Sequence, residues 1–307
     1  MKFLFKDSQY SPIEACVCAL LAFFIFSSAD IIAKWLLSGG LSTYFVLSVS
    51  YAIGLLQILV IMWWKDEYRA TLNTPHRKWH IIRGIVILLM TFCLLHALAV
   101  TPLASFYSIM FTVPFLVTIG SVLFFGDKVG VKDWVAIAVG FAGILIILRP
   151  DQSMQIHIGY LYAIGAALGV ASSSLLARKI GSKEKAYPFA FYVFIIILLG
   201  NVGLTDWSQI YDVTLAQATV LCLYGAILPL GIILLSSTYA KAPSVAYVAP
   251  FQYTQMVWGL LFGFFIFNEI PRAHVFIGAA IVIRCGLYVL LHARHINRKS
   301  AKIGQPL

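Results

Sequence analysis

Residues 96–150, HALAVTPLASFYSIMFTVPFLVTIGSVLFFGDKVGVKDWVAIAVGFAGILIILRP, hold two long apolar segments. A turn around Pro102 precedes the first, and a short basic hinge, GDKVGVKD, joins it to the second. Much of this plan returns at residues 239–291, YAKAPSVAYVAPFQYTQMVWGLLFGFFIFNEIPRAHVFIGAAIVIRCGLYVLL. Ala99 and Pro102 align with Ala240 and Pro243, Gly126-Asp127 with Asn268-Glu269, and Gly143 with Gly286, at a period drifting from 141 to 143 residues. The chain reads as a duplication with halves at 1–150 and 151–307, the second ending in a short basic tail.

Composition sets the class. With 61% hydrophobic and 11% charged residues, the chain has too little polar surface for a soluble body, where about a quarter of residues are charged. Runs of 18 or more apolar residues recur, and in lipid they must be helical because every backbone polar group needs a partner within its own segment. A β-barrel would instead alternate in strands of ~10 residues. The expectation is an all-α integral membrane protein of ten transmembrane helices, near 13–35, 42–64, 82–100, 103–125, 132–149, 158–177, 187–205, 216–238, 244–267 and 274–292. Ser27-Ser28-Ala29 resembles a signal-peptide cleavage site, but the apolar run before it is too long and further spans follow, so the first helix is read as retained.

Lysines and arginines orient the chain. With a cytoplasmic N-terminus, eighteen of them fall on inside segments, Arg83 among these, and only Lys34, Arg149 and Arg272 outside, with Arg284 inside the last span. This asymmetry obeys the positive-inside rule and places both termini in the cytoplasm. The net charge of +10 therefore reflects topology rather than nucleic-acid binding, which calls for a basic patch on a soluble face. Five helices per half is an odd number, so equivalent hinges fall on opposite sides of the membrane and the two five-helix repeats are inverted. Inverted repeats are the architecture of alternating-access transporters, with substrate near the midplane between the halves.

ALAVTPLASFYSIMFTVPFLVTIGSVLFFGDKVG with GFAGILIILRP, and KAPSVAYVAPFQYTQMVWGLLFGFFIFNEIP with IVIRCGLYVLL, resemble the drug/metabolite transporter superfamily with two EamA-like domains. The resemblance covers all ten expected helices. Around Arg83-Gly84 and Gly286-Leu287-Tyr288 the chain looks most similar to bacterial branches that include riboflavin and S-adenosylmethionine permeases. The hinges depart from the family's usual Gly-Glu: Gly126-Asp127 keeps the glycine with a shorter acid, and Asn268-Glu269 keeps the acid without the glycine.

Polar groups at membrane depth are the functional candidates, since ionisable side chains there are costly. Asp30 and Lys34 are spaced i, i+4 and share a helix face with Ser27, so they form either an interfacial ion pair or part of an outer gate. His96, near the outer end of the third span, is a packing residue or a proton relay. Arg284, midway along the tenth span, needs a partner in a carbonyl cluster, a hydroxyl, or an anionic substrate group.

In the fourth span Ser105, Ser108, Thr112, Phe115 and Ile119 form one helical stripe, matched in spacing by Ala249, Gln252, Met256, Gly259 and Gly263 in the ninth. Small residues in such stripes serve close packing. Gln252 and Gln255 are different, because their amides would be unsatisfied against lipid, and they are expected to line a central polar cavity. Tyr107, Tyr253 and Trp258 lie deep enough to stack on a flat solute ring, or else pack. Pro114 and Pro229 interrupt their helices and free carbonyls.

The sequence has no Gly-x-Ser-x-Gly elbow, no Walker A loop and no His-Glu-x-x-His pair, and its five cysteines, all within spans, include no Cys-x-x-Cys. No catalytic residue, metal or cofactor is expected. The reading is an inner-membrane secondary transporter for a small organic metabolite, cofactor-like or nucleoside-like, embedded in lipid, with homo-oligomerisation left open. Alternatives are an exporter of amino acids or amphiphiles, and a membrane scaffold without transport. The absence of an organelle-targeting extension suggests a bacterial inner membrane.

Overall fold

In the computed structural model, the described residues are 9–126, 158–242 and 254–268, with Val248, Phe251, Gln252 and scattered positions at 130–146 and 270–288. The tails, Asp127, and the Pro243 turn lie outside them. The fifth and tenth expected spans and the stretch before Thr254 are covered only in part.

Hydrogen-bonding side chains start three of the long helices. Ser11 and Glu14 close a reciprocal capping box on α1 (Pro12–Ser38), with Pro12 in the first turn where its missing N–H is harmless. Ser42 caps α2 (Thr43–Trp64), and Thr214 with Gln217 repeats the capping box on α9 (Leu215–Lys241). Between them come α3 (Tyr68–Leu72), α4 (Arg77–Val100), α5 (Leu103–Met110), α6 (Val113–Phe125), α7 (Ile158–Ile180) and α8 (Ala186–Asn201), and α10 (Thr254–Phe267) follows. Six of these helices, α1, α2, α4, α7, α8 with its short 3-10 extension, and α9, are long and apolar enough to cross a membrane.

Two elements differ from the sequence expectation. The third span begins at Arg77 rather than residue 82, so His80 joins the helix and Arg83 lies in its second turn rather than at its margin, and both are buried. The fourth span is two helices. Proline at 114 has no N–H to offer the carbonyl of Met110, so the regular ladder cannot pass. The amide of Thr112 turns instead to the Ile109 carbonyl at 2.9 Å, and its hydroxyl donates to the same oxygen at 2.8 Å. The continuous helix needed for a stripe through Ser105, Ser108, Thr112, Phe115 and Ile119 therefore stops at Met110.

The two aligned hinge positions end their helices in the same way. Gly126, after α6, has φ +69°, and Asn268, after α10, has φ +53°. This left-handed conformation is natural to glycine and, among other residues, best tolerated by asparagine. The Gly-to-Asn departure thus preserves the backbone turn.

Packing runs across the duplication: α4 lies along α7, α1 along α9, and α2 against both α8 and α9. The principal buried core accordingly draws on both halves, from Phe45 and Tyr51 in α2 to Phe194 in α8 and Leu228 in α9.

Candidate functional site

Between the halves lies a cavity of about 110 Å³, well above the ~10–15 Å³ that one water needs and so more than a packing void. Helices α1, α2, α4 and α5 line it from one half; α7, α9, Gln252 and Gln255 line it from the other. Much of its wall is aromatic, including Phe23, Phe26, Tyr51, Phe106, Tyr107 and Tyr224.

The helix break creates one of its polar features. The Met110 carbonyl left without a ladder donor by Pro114 accepts from Gln252 Nε2 at 3.0 Å. A carbonyl accepts only, so the amide is oriented with nitrogen toward Met110 and its other atom is an acceptor. That atom, Gln252 Oε1, is buried with no hydrogen-bond partner among the described residues. Gln252 itself is 1% exposed and lines the cavity. Such an acceptor costs about 1–3 kcal/mol if left unmade, and a solute donor would satisfy it. Gln255, also buried, lines the same cavity.

Asp30 accepts from the Tyr107 hydroxyl at 2.9 Å. Gly259 makes room for this tyrosine: a Cβ there would fall 2.1 Å from its ring, so only glycine lets α10 approach so closely. The expected Asp30–Lys34 pair is not made. Lys34 turns away and donates to the Thr101 carbonyl at 2.8 Å, a backbone acceptor exposed by the turn into Pro102.

Arg83 was counted from sequence among the inside cations and was not singled out as a site candidate. It is 4% exposed and lines the cavity. Its Nη1 donates to the Phe189 carbonyl at 2.9 Å, its Nη2 donates to Ser236 Oγ, and its guanidinium sits over the Phe189 ring. Nε has no hydrogen-bond partner among the described residues. The available signal was Trp79, an interfacial residue type that marks the membrane boundary before Arg83.

Of the other sequence candidates, Thr112 serves the helix break. Trp258 packs on Phe24 and Phe262 with ring centroids 5.0 and 6.2 Å away. His96 bonds the Phe92 carbonyl through Nδ1 at 2.9 Å among the rings of Tyr44, Phe92 and Tyr162. Arg284 is exposed. None of these four lines the cavity. Tyr253 and the Ser108 side chain lie outside the described residues.

A second polar cluster bridges the halves beside Arg83. Glu184, in the turn between α7 and α8, accepts from Thr74 Oγ1 at 2.5 Å and lies 3.4 Å from His80 Nε2. Burial pushes its carboxyl up, but hydrogen bonding to His80 and Thr74 outweighs this and holds it below the usual carboxylate range.

The EamA-like transporter family matches residues 13–149 and again 157–291. The chain is 30% identical over 284 residues to a riboflavin transporter of Vibrio cholerae, covering 90% of this chain and 92% of that protein. It is 26% identical over 220 residues to an S-adenosylmethionine uptake transporter of Rickettsia bellii, covering 72% and 75%. It is 24% identical over 266 residues to the pseudopaline exporter CntI of Pseudomonas aeruginosa, covering 86% and 92%. A solved protein crystal structure shares the fold, with a TM-score of 0.68 at 18% identity over 93% of this chain and 99% of that one. Apolar helices long enough to span, packed around a cavity that both repeats line, fit this match, and the chain is a multi-pass membrane protein of the EamA-like transporter family, in the drug/metabolite transporter superfamily, with two EamA repeats.

Proposed function

We propose that this chain is a secondary transporter of the bacterial inner membrane that moves a small organic metabolite by alternating access. Its frame is ten membrane-spanning helices in two inverted repeats, residues 1–150 and 151–307, with both termini cytoplasmic. The observation that carries the reading is Gln252: a residue of the second repeat that lines the cavity reaches across to the carbonyl freed by Pro114 in the first, and its acceptor oxygen is buried without a partner among the described residues. Movement of one repeat against the other would break this bond, so the solute site and the moving interface share a residue.

The aromatic wall favours a solute with a flat ring body, in keeping with the riboflavin and S-adenosylmethionine transporters among the similar proteins. Similarity to an exporter supports a second reading, outward transport of an amphiphilic metabolite through the same site. Net direction is set by the solute gradient and not by the fold. Counterflow of radiolabelled riboflavin and S-adenosylmethionine in proteoliposomes tests the proposal. Saturable exchange of either solute, lost in Gln252→Leu protein that still folds, is the expected result. Failure of both solutes, followed by silence across nucleosides, amino acids and organic anions, would turn the reading toward a scaffold.

A further inference from the structure

The cavity holds two ionisable side chains of opposite sign, and neither makes an ion pair among the described residues. Asp30, 7% exposed, receives one hydrogen bond from Tyr107, and its i+4 neighbour Lys34 is diverted to Thr101. Arg83 is held by a carbonyl and a hydroxyl, both neutral, with Nε–H unpartnered. A buried charge held only by neutral groups is costly, and an opposite charge supplied by a ligand removes most of that cost.

The two charges stand at opposite ends. Arg83 lies in the second turn of α4 and contacts Ser236, whereas Lys34, one turn from Asp30 on α1, reaches the Thr101 carbonyl just past the far end of α4. Arg83 and Thr101 are roughly 27 Å apart along α4 at ~1.5 Å rise per residue, and the turn between Lys34 and Asp30 takes back about 5 Å. Between the ends the α4 face presents Ile87, Met90 and Leu94. The Asp30 end gathers acceptors, because Gln252 Oε1 is buried without a partner among the described residues and Gln252 is tied to Met110, one turn beyond Tyr107. At the Arg83 end the group without a partner among the described residues is a donor, the guanidinium Nε–H.

We infer that the transported solute is dipolar: an anionic group, carboxylate or phosphate, seats on Arg83, a protonated amine seats between Asp30 and Gln252, and a flat apolar body joins them. This rests on the cavity being the solute site and names the solute's chemistry.

The test uses the full chain in lipid nanodiscs and four rigid probes sharing one body. They are 4′-(aminomethyl)biphenyl-4-carboxylate, biphenyl-4-carboxylate, 4-(aminomethyl)biphenyl and the uncharged biphenyl-4-carboxamide. Calorimetric titration is expected to show the dipolar probe binding at least tenfold tighter than either singly charged one. In Asp30→Asn protein the dipolar probe should fall to the affinity of the carboxylate, while the carboxylate itself shifts less than twofold. Arg83→Lys retains a cation for Phe189 and Ser236 but removes the Nε–H and the fork, so carboxylate-bearing probes should weaken about tenfold and the amine probe should not. If Arg83→Lys protein does not fold, the Asp30→Asn titration decides alone. Equal affinity across the four probes, an equal loss across them in Asp30→Asn, or no binding by any of them would overturn the inference. Charge discrimination without flux in proteoliposomes would uphold the dipolar site and remove the transport reading. Flux of uncharged riboflavin alongside charge-blind probe binding would do the reverse.

Discussion

At the scale of single residues, Gln252 does two jobs that substitution can separate. Gln252→Leu leaves the Met110 carbonyl buried and unpaired, which costs about 1–3 kcal/mol. A lower melting temperature is expected alongside weakened solute binding, measured by thermal unfolding and by titration. Gln252→Glu keeps an acceptor on the cavity but loses the donor to Met110, so it should lose stability while binding an amine-bearing solute at least as well. Gly259 is a second pressure point. A methyl group there collides with the Tyr107 ring, and overpacking of this kind costs about 1–3 kcal/mol. Gly259→Ala is expected to lower the melting temperature and to weaken solutes that depend on Asp30, because Tyr107 can no longer hold its carboxylate. Unchanged unfolding and binding would show that α10 moves aside freely.

The α5–α6 break at the scale of elements is a consequence of one missing proton. Pro114→Ala restores an N–H that can donate to Met110 and lets the ladder run through, in competition with Gln252. Hydrogen exchange should then show a protected amide at position 114, with thermal stability held or raised and exchange transport reduced. Retained transport with a protected amide would separate the break from function. The turn before α8 carries a pH-dependent contact. Glu184 has its carboxyl held below the ordinary range, so its contribution to stability is complete above the unfolded-state value near ~4.3 and is lost as pH falls through the lower folded-state value. Wild-type melting temperature should fall more steeply in that acidic window than that of Glu184→Gln, by scanning fluorimetry across pH 6 to 3. Parallel curves would remove Glu184 from the account.

For the whole molecule, the distribution of cations makes a topological statement that fusions can test. A green fluorescent protein on the C-terminus is expected to fluoresce, and alkaline phosphatase there to stay inactive, because the proposed topology puts both termini in the cytoplasm. The reverse result would overturn the even number of spans and the inversion of the repeats. At this scale the duplication also has a mechanical meaning. Its halves are interleaved, with α4 along α7 and α1 along α9, so relative motion of the repeats must rearrange the polar contacts that Gln252, Arg83 and Glu184 make across the boundary.

Membrane class, helical content and the two repeats were determined by sequence alone, because each follows from local or additive properties. Apolar run length decides what can sit in lipid, backbone satisfaction demands helix, and repetition is visible as repetition. Gln252 and Gln255 could be singled out for the same reason, as amides with no acceptable place against lipid. Tertiary structure alone decided the partners. Lys34 is in register with Asp30 on a helix face, yet the Thr101 carbonyl competes for it, and no spacing rule contains a carbonyl contributed by another helix. Arg83 was hidden in a count of inside cations because its depth depends on where α4 starts, and its carbonyl and hydroxyl partners depend on what α8 and α9 bring to it. Pro114 could be read as a break, but which side chain would answer the freed carbonyl required the other half of the chain to be folded against it.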